Sequence, residues 1–435
     1  MNSFVSRHLF FSPVRMLRGE PIAKALKFVR SFEFLDNQRS LLFRQVQLAY
    51  EKIPYYRRVW GDLGLSSSNM HMESDFFQIP ILEKSSIQNN PDEFLNPEIR
   101  KFEHRSTSGS TGTPLKFVRG RQSTAFMDAA MYHSYGWHGI DIGDRQVRFW
   151  GEPQDEKGRK VARLKDYLMN RIRLSAFRIS DEYLSFFADK IERFRPTYIY
   201  GYPSLICQFA EFIKRERHAL QGVEFKGIIC TGEQLLSQQR LLMEDVFQAK
   251  TINEYGCTEV GVIAFECSHG AMHELSPTVK IEVVNAEGES VYDEEGDLVV
   301  TELHAQTFPF IRYRLGDRGI LSSKKCSCGL AYPLLDVVTG RIDSYIKTPD
   351  GRLVYDAILA YTLKRGVRQF KAVQEEVTRL TIYVVYDELL TDNLLAKYET
   401  ILMQSISNDM VFNFVKVRTL PRESSGKLRY FESRI

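Results

Sequence analysis

The sequence predicts an α/β protein in two parts: a large N-terminal part, with an α/β core continued by an antiparallel β region, and a small α+β C-terminal part. Three observations predict it. Short apolar runs that end in Gly or Pro alternate with helix-period segments through the first 260 residues. After Thr278 the texture changes to alternating runs separated by Asn-Ala-Glu-Gly and Asp-Glu-Glu-Gly, which are hairpin signals. Beyond about residue 345, two strand-like runs precede one helical run.

Each element follows in order. Residues 38–51 place Leu41, Leu42, Val46 and Leu48 at roughly helical spacing. Residues 123–135 read the same way. Residues 145–150, 198–200 and 226–230 read as short buried strands, and Asn253 to Gly256 as the opening of a loop. Strands that end in functional loops are the usual site geometry of an α/β sheet. Residues 279–284, 298–303 and 311–313 read as the antiparallel strands. Residues 370–374 and 380–386 read as strands and 392–406 as a helix. The expected boundary separates 1–340 from 341–435.

Composition bounds the function. The chain has 435 residues, 43% hydrophobic and 26% charged, enough apolar material for a large core. Its 58 basic and 55 acidic residues nearly balance, which argues against nucleic acid as a partner. No run of 18 apolar residues occurs, so no transmembrane segment is expected. Residues 1–30 carry Arg7, Arg15, Arg18, Lys24, Lys27 and Arg30 against a single Glu20. They lack the continuous apolar stretch of a secretory signal, so a cytoplasmic location is expected. This segment reads either as helix packed on the main body or as an amphipathic helix touching anionic lipid.

Every residue between Arg105 and Pro114 is Ser, Thr or Gly. Such a loop offers bare N–H groups and small hydroxyls at close range, which suits a polyphosphate. Gly109 and Gly112 admit the backbone to phosphate oxygens without a Cβ in the way. No lysine follows Gly112, so this is not a Walker loop. The string resembles the phosphate-binding signature of adenylate-forming enzymes, the superfamily of acyl-CoA ligases, luciferases and peptide-synthetase adenylation domains. Further matches follow in family order: Thr231-Gly232-Glu233, Tyr255-Gly256-Cys257-Thr258-Glu259, Arg312-Tyr313-Arg314-Leu315-Gly316-Asp317, Gly340-Arg341-Ile342-Asp343 and Pro421-Arg422-Glu423-Ser424-Ser425-Gly426-Lys427.

The N-terminal strings Tyr50-Glu51-Lys52-Ile53-Pro54-Tyr55-Tyr56-Arg57 and Ile79-Pro80-Ile81-Leu82-Glu83-Lys84 resemble phenylacetate–CoA ligases. They are more similar still to shorter relatives associated with capsule and surface-polysaccharide genes. Phe149-Trp150-Gly151-Glu152-Pro153 and Tyr200-Gly201-Tyr202-Pro203-Ser204 fit the same group.

The resemblance implies a large adenylate-forming domain and a small mobile C-terminal domain that rotates about the 340–343 hinge. It implies an ATP-dependent, AMP-forming acid–thiol ligase acting on a small carboxylic acid, with Mg²⁺ and with coenzyme A as acceptor. The alternative acceptor is a sugar amine, carrier or protein in surface-polysaccharide biosynthesis; a nucleotide-binding scaffold without turnover is the third reading. A homodimer is an open expectation. By the same resemblance, Thr107, Ser108, Gly109, Ser110, Thr111, Gly112 and Thr113 cradle the phosphates. Tyr255 flanks the adenine, Gly232 and Glu233 form its other wall, and Gly256 and Thr258 belong to the same cofactor-binding set. Asp317 binds ribose, Arg341 belongs to the hinge, Glu259 holds Mg²⁺ and Lys427 bridges carboxylate and phosphate oxygens.

Two departures stand out. Leu115 follows the proline where many family loops have lysine, so Lys116 receives no phosphate role. Ser344 follows Asp343 where a second acid is common. Tyr132, Trp137, Trp150 and Tyr202 are candidates to line the acid pocket, although aromatic residues there also suit a core.

Six cysteines occur without a secretory signal, so disulfides are not expected. Cys326 and Cys328 form a tight pair, and Cys267 and His273 sit on a second turn-rich segment. Both segments flank the same β region, and three thiolates plus an imidazole suit tetrahedral zinc. His269 competes with His273 as the nitrogen ligand. A comparable Cys/His arrangement in some phenylacetate–CoA ligase relatives supports structural zinc.

Overall fold

The computed structural model describes residues 6–65, 76–107, 115–151, 153, 156–175, 180–218, 220–339, 345–363, 365–422 and 428–435. The first sheet is an antiparallel pair of β1 (Phe102–Ser106) and β2 (Lys116–Gly120), which flank the Ser/Thr/Gly run in the chain.

The main sheet has eleven strands. In chain order they are β3 (Gln146–Trp150), β4 (Arg171–Ser175), β5 (Tyr198–Gly201), β6 (Ile228–Thr231), β7 (Thr251–Cys257), β8 (Gly261–Glu266), β9 (Met272–Glu274), β10 (Val279–Val284), β11 (Glu295–Glu302), β12 (Tyr313–Ser322) and β13 (Leu334–Thr339). Strands β4, β3, β5, β6 and β7 pair in parallel, joined through helices. From β7 onward the pairing is antiparallel: β8, β9, β13, β12, β11, β10. The predicted α/β core and antiparallel region are therefore two halves of one sheet.

The parallel half reads as it must for strands covered on both faces. Val147, Phe149, Ile199, Ile228 and Cys230 are buried against helices α1 (Asp181–Phe194), α2 (Pro203–Arg215) and α3 (Ser237–Phe247). The helix Phe34–Lys52 brings Leu41, Leu42 and Val46 into a second cluster with Ile281, Val283, Leu298 and Val300. Residues 346–431 bury their own cluster, including Leu359, Phe370, Ile382, Leu402 and Phe431, around β16 (Val367–Glu376), β17 (Arg379–Tyr386), β18 (Val411–Val417) and β19 (Phe431–Ser433). Strands β14 (Tyr345–Lys347) and β15 (Leu353–Tyr355) form a small hairpin ahead of them. The expected boundary at 340 falls outside the described residues.

Two expectations are corrected. Asn253 to Gly256 do not open a loop; they lie inside β7, which turns back into β8. A Cβ on Gly256 would collide with the Gly261 carbonyl oxygen, so glycine there lets the two strands close. The run 311–313 is not a strand. Arg312 has φ +48°, which interrupts extended backbone, and β12 starts only at Tyr313.

The basic N-terminal segment packs on the body. Phe11, Ile22, Ala25 and Val29 are buried against Ala125, Phe126 and Ala129 of the helix Arg121–Gly136. Its cations find carboxylates there: Arg7 with Asp141 at 2.6 Å, Arg15 with Glu20 and Asp128, and Arg18 with Glu103. No helix among the described residues is long and apolar enough to cross a membrane.

Candidate active site and metal centre

The strings 200–204, 231–233 and 255–259 gather at the C-terminal ends of the parallel strands, where an α/β sheet places its ligands. Strand β5 delivers Tyr202-Pro203-Ser204, β6 delivers Gly232-Glu233, and β7 runs into Thr258-Glu259. Strand β12 supplies the facing wall. Alternate residues of a strand face opposite ways. Tyr313 and Asp317 both turn to this site: Tyr313 donates to Glu259 Oε1 at 3.4 Å, and Tyr255 donates to Asp317 Oδ2 at 2.6 Å. Arg314 pairs instead with Glu83 at 2.8 Å and with Asp297. Arg312 is buried against Glu282 at 2.9 Å and donates to the Phe77 carbonyl, so it braces the 77–82 segment.

The Thr258-Glu259 turn is held from behind. Arg119 on β2 donates to the carbonyls of Thr258 and Glu259, bonds Ser123 Oγ at 3.2 Å and pairs with Glu302 at 3.6 Å. Burial pushes the Glu302 carboxyl upward, and Arg119 and Ser123 pull it back. The strand that leaves the Ser/Thr/Gly loop thus supports the Glu259 turn. At the neck of that loop Thr107 Oγ1 accepts the Leu115 N–H at 2.9 Å, and Thr107 N–H donates to the Leu115 carbonyl at 3.0 Å. Ser108, Gly109, Ser110, Thr111, Gly112 and Thr113 lie outside the described residues, as do Arg341 and Lys427.

The segment containing Lys427 is bracketed all the same. Arg422 donates to Ser204 Oγ at 3.0 Å and to Gln208 Oε1 at 3.0 Å, and lies 3.8 Å from Glu233 Oε1. On the other side, Leu428 N–H donates to Glu233 Oε1 at 2.6 Å. Glu233 also accepts the Ser204 N–H and hydroxyl, each at 3.0 Å. Its side chain is 1% exposed. Burial raises its carboxyl, opposed by Arg422 and by the Leu428 and Ser204 donors. Farther out Gln239 donates to Tyr430 Oη at 2.9 Å. The structure therefore aims the Glu233 carboxylate at the C-terminal segment. Arg422, Ser204 and Arg119 were not singled out from sequence. The only signals were that Arg422 and Ser204 sit within motif strings.

The aromatic candidates divide. Trp150 stacks on Tyr202 with centroids 4.2 Å apart, at the site end of β3. Tyr132 packs on Phe11 in the N-terminal cluster. Trp137 stands 6.2 Å from both His273 and Tyr332, at the opposite end of the sheet.

That opposite end holds the cysteine cluster. The ligand atoms of Cys267, His273, Cys326 and Cys328 all lie within 4.8 Å of one another. Cys267 Sγ is 3.9 Å from Cys326 Sγ, and Cys328 Sγ is 3.3 Å from His273 Nε2. Tetrahedral zinc with Zn–S near 2.3 Å requires S···S of ~3.8 Å, so the set fits. His273 Nδ1 bonds the Tyr332 carbonyl at 2.9 Å, which turns Nε2 toward the thiols, the usual supporting contact of a ligating histidine. His269 instead contacts Ser327 at the surface. Strand β8 separates Cys267 from the Glu259 turn by its full length, roughly 20 Å at the usual rise per residue. A metal held there would be structural.

Residues 346–433 match the CapK C-terminal domain family. The chain is 23% identical to protein CapK of Staphylococcus aureus, over 81% of this chain and 79% of that protein. It is 22% identical to a phenylacetate-coenzyme A ligase of Thermus thermophilus, over 71% and 70%. Its fold matches 2-hydroxyisobutyryl-CoA ligase in the postadenylation state with TM-score 0.72 at 20% identity, covering 91% of this chain and 88% of that one. The same ligase in the thioesterification state gives 0.58 over 91% and 89%.

Proposed function

We propose, for a chain that belongs to the adenylate-forming superfamily and within it to the CapK and phenylacetate–CoA ligase type, that this site activates a small carboxylic acid with ATP and passes the acyl group to coenzyme A. A carboxylate oxygen attacks the α-phosphorus, pyrophosphate leaves, and the acid is held as an acyl adenylate. A thiolate then attacks the acyl carbonyl and AMP departs. The protein's work is to align the reactants and to stabilise charge spreading over phosphate oxygens.

The observation that carries this reading is the bracketing of 423–427. Arg422 and Leu428, the described residues on either side of 423–427, both dock on the Ser204–Glu233 pair at the strand ends. That arrangement suits the adenylation half-reaction. The higher TM-score to the postadenylation state of the 2-hydroxyisobutyryl-CoA ligase is in keeping with it. The ammonium of Lys427 would neutralise carboxylate and phosphate oxygens as a point charge. Asp317, held by Tyr255, would take the ribose hydroxyls. Residues 107–113 would cradle the β- and γ-phosphates. Glu259 would hold Mg²⁺, which neutralises phosphate charge. Cys267, His273, Cys326 and Cys328 would hold structural zinc, which ties the 267–273 segment to the 326–328 turn.

The test is pyrophosphate release with ATP, Mg²⁺ and a panel of carboxylic acids, with and without coenzyme A, on the wild type and Lys427→Ala. Acid-dependent release that coenzyme A accelerates and Lys427→Ala lowers by 100-fold or more, roughly 3 kcal/mol of barrier, is expected. Release indifferent to coenzyme A would transfer the acceptor role to an amine, carrier or protein. No release with any acid, alongside ATP binding by calorimetry, would favour a non-catalytic scaffold.

A further inference from the structure

The helix Glu156–Leu168 is turned inside out. Its one buried residue is Asp166, which pairs with Arg171 at 2.5 Å and Arg173 at 2.9 Å. Its apolar residues face outward: Val161 is 46% exposed, Leu164 59% and Tyr167 68%. At 100° per residue the exposed Val161, Leu164 and Tyr167 form one stripe, and Asp166 lies almost opposite. Lys157 and Lys160 lie within that stripe, and Arg163 and Lys165 stand on its two sides. The helix carries five cations, Lys157, Arg159, Lys160, Arg163 and Lys165, against Glu156 and the inward Asp166. Glu156 pairs with Lys160 at 2.8 Å. Lys190 of α1 lies close enough to Arg163 to feel its charge.

An exposed apolar stripe flanked by cations needs a cover that is apolar within and anionic at its surface. A second copy of this chain suits it badly. Two such faces would set cation against cation, and three side chains offer a few hundred Å² at most, against roughly 800 Å² per partner in a stable interface. We propose that this helix docks the protein on an anionic lipid bilayer, lying in the interface with Val161, Leu164 and Tyr167 toward the acyl chains and the flanking cations at headgroup level. The stripe is short, so binding is weak, reversible and sensitive to salt.

The experiment is flotation of the full chain with vesicles of phosphatidylcholine alone and of phosphatidylcholine mixed with phosphatidylglycerol, at low and high salt. The bound fraction is expected to rise at least fivefold with phosphatidylglycerol and to fall back at high salt. Leu164→Glu, and separately Lys157→Gln with Arg163→Gln and Lys165→Gln, are expected to lower it at least fivefold with unchanged melting temperature, since these side chains face outward. Leu17→Glu is the control, because Leu17 is 88% exposed on the neighbouring N-terminal segment. Equal binding to both vesicle types overturns the proposal. So does full binding by Leu164→Glu, or loss in Leu17→Glu alone. Failure to bind either vesicle while an acidic protein is retained also overturns it.

Discussion

Arg422→Ala tests whether the Ser204–Glu233 pair holds the C-terminal segment in place for adenylation. The substitution deletes two hydrogen bonds of 3.0 Å, to Ser204 and Gln208, and the cation 3.8 Å from a carboxylate that is 1% exposed. Removing one partner of a buried ion pair costs about 3–5 kcal/mol. Two features place this case lower. The Nη1–Oε1 separation is long, and Glu233 keeps the Ser204 donors and the Leu428 N–H at 2.6 Å. A loss of about 2–3 kcal/mol in the docked arrangement is expected, which shifts its equilibrium roughly 30- to 150-fold. The docked form has some excess stability to lose first, so the fall in rate is smaller than the shift.

Acid-dependent ATP–pyrophosphate exchange reads adenylation alone, and it is expected to drop at least tenfold with ATP affinity little changed. Arg422→Lys is expected to recover part of the loss, because one ammonium cannot reach Ser204 and Gln208 with a guanidinium's fixed fork. Thioester formation from a preformed acyl adenylate is expected to stay within threefold if, as the proposed rotation about 340–343 implies, that step uses the segment released. Exchange within threefold of the wild type in a folded Arg422→Ala would refute the reasoning: the bracket would then be a resting contact with no part in catalysis.

Two further outcomes follow from other parts of the molecule. Purified protein is expected to contain about one zinc per chain by elemental analysis, and chelation or Cys326→Ser should lower the melting temperature by several degrees while leaving the residual adenylation rate of folded protein within a few-fold. A metal-free preparation with unchanged melting would remove the structural-zinc reading. Glu211 on α2 gives a pH dependence: burial pushes its carboxyl from 4.5 up to about 7, against the pull of Arg368, with Asp387 adding to the rise. The fold therefore favours the protonated form, so this contribution is full below about pH 4.5 and is lost as pH rises through about 7. Glu211→Gln is expected to raise stability by about 1–3 kcal/mol at pH 8 and to leave it unchanged at pH 4, measured by urea unfolding. Asp356, pushed by burial to about 7, titrates in the same window, so some slope should survive the substitution.

What the sequence made legible was what local patterns encode. Short apolar runs stopped by Gly or Pro mark β3, β5 and β6 because a strand covered on both faces has no polar side to alternate with. The motif loops are legible because close approach to phosphate or to a second strand demands small residues, and Gly256 under the Gly261 carbonyl is a direct instance. The Cys/His cluster was legible as residue types, but the choice between His269 and His273 was not. It is made by β9, which pairs His273 with Leu334 and leaves its Nδ1 on the Tyr332 carbonyl. Two kinds of information were out of reach. One is long-range pairing: Arg422 meets Ser204 across 218 residues, and nothing beside either residue marks the other. Glu233 therefore looked like part of the nucleotide wall from its neighbours alone, whereas its side chain is taken by the far end of the chain. The other is which way an amphipathic helix faces. Periodicity gives a stripe but not its direction. In Glu156–Leu168 the direction is set by Arg171 and Arg173 on β4, which draw Asp166 inward and turn Val161 and Leu164 out. The same two arginines that anchor the edge of the sheet thus create the apolar surface that the vesicle experiment interrogates.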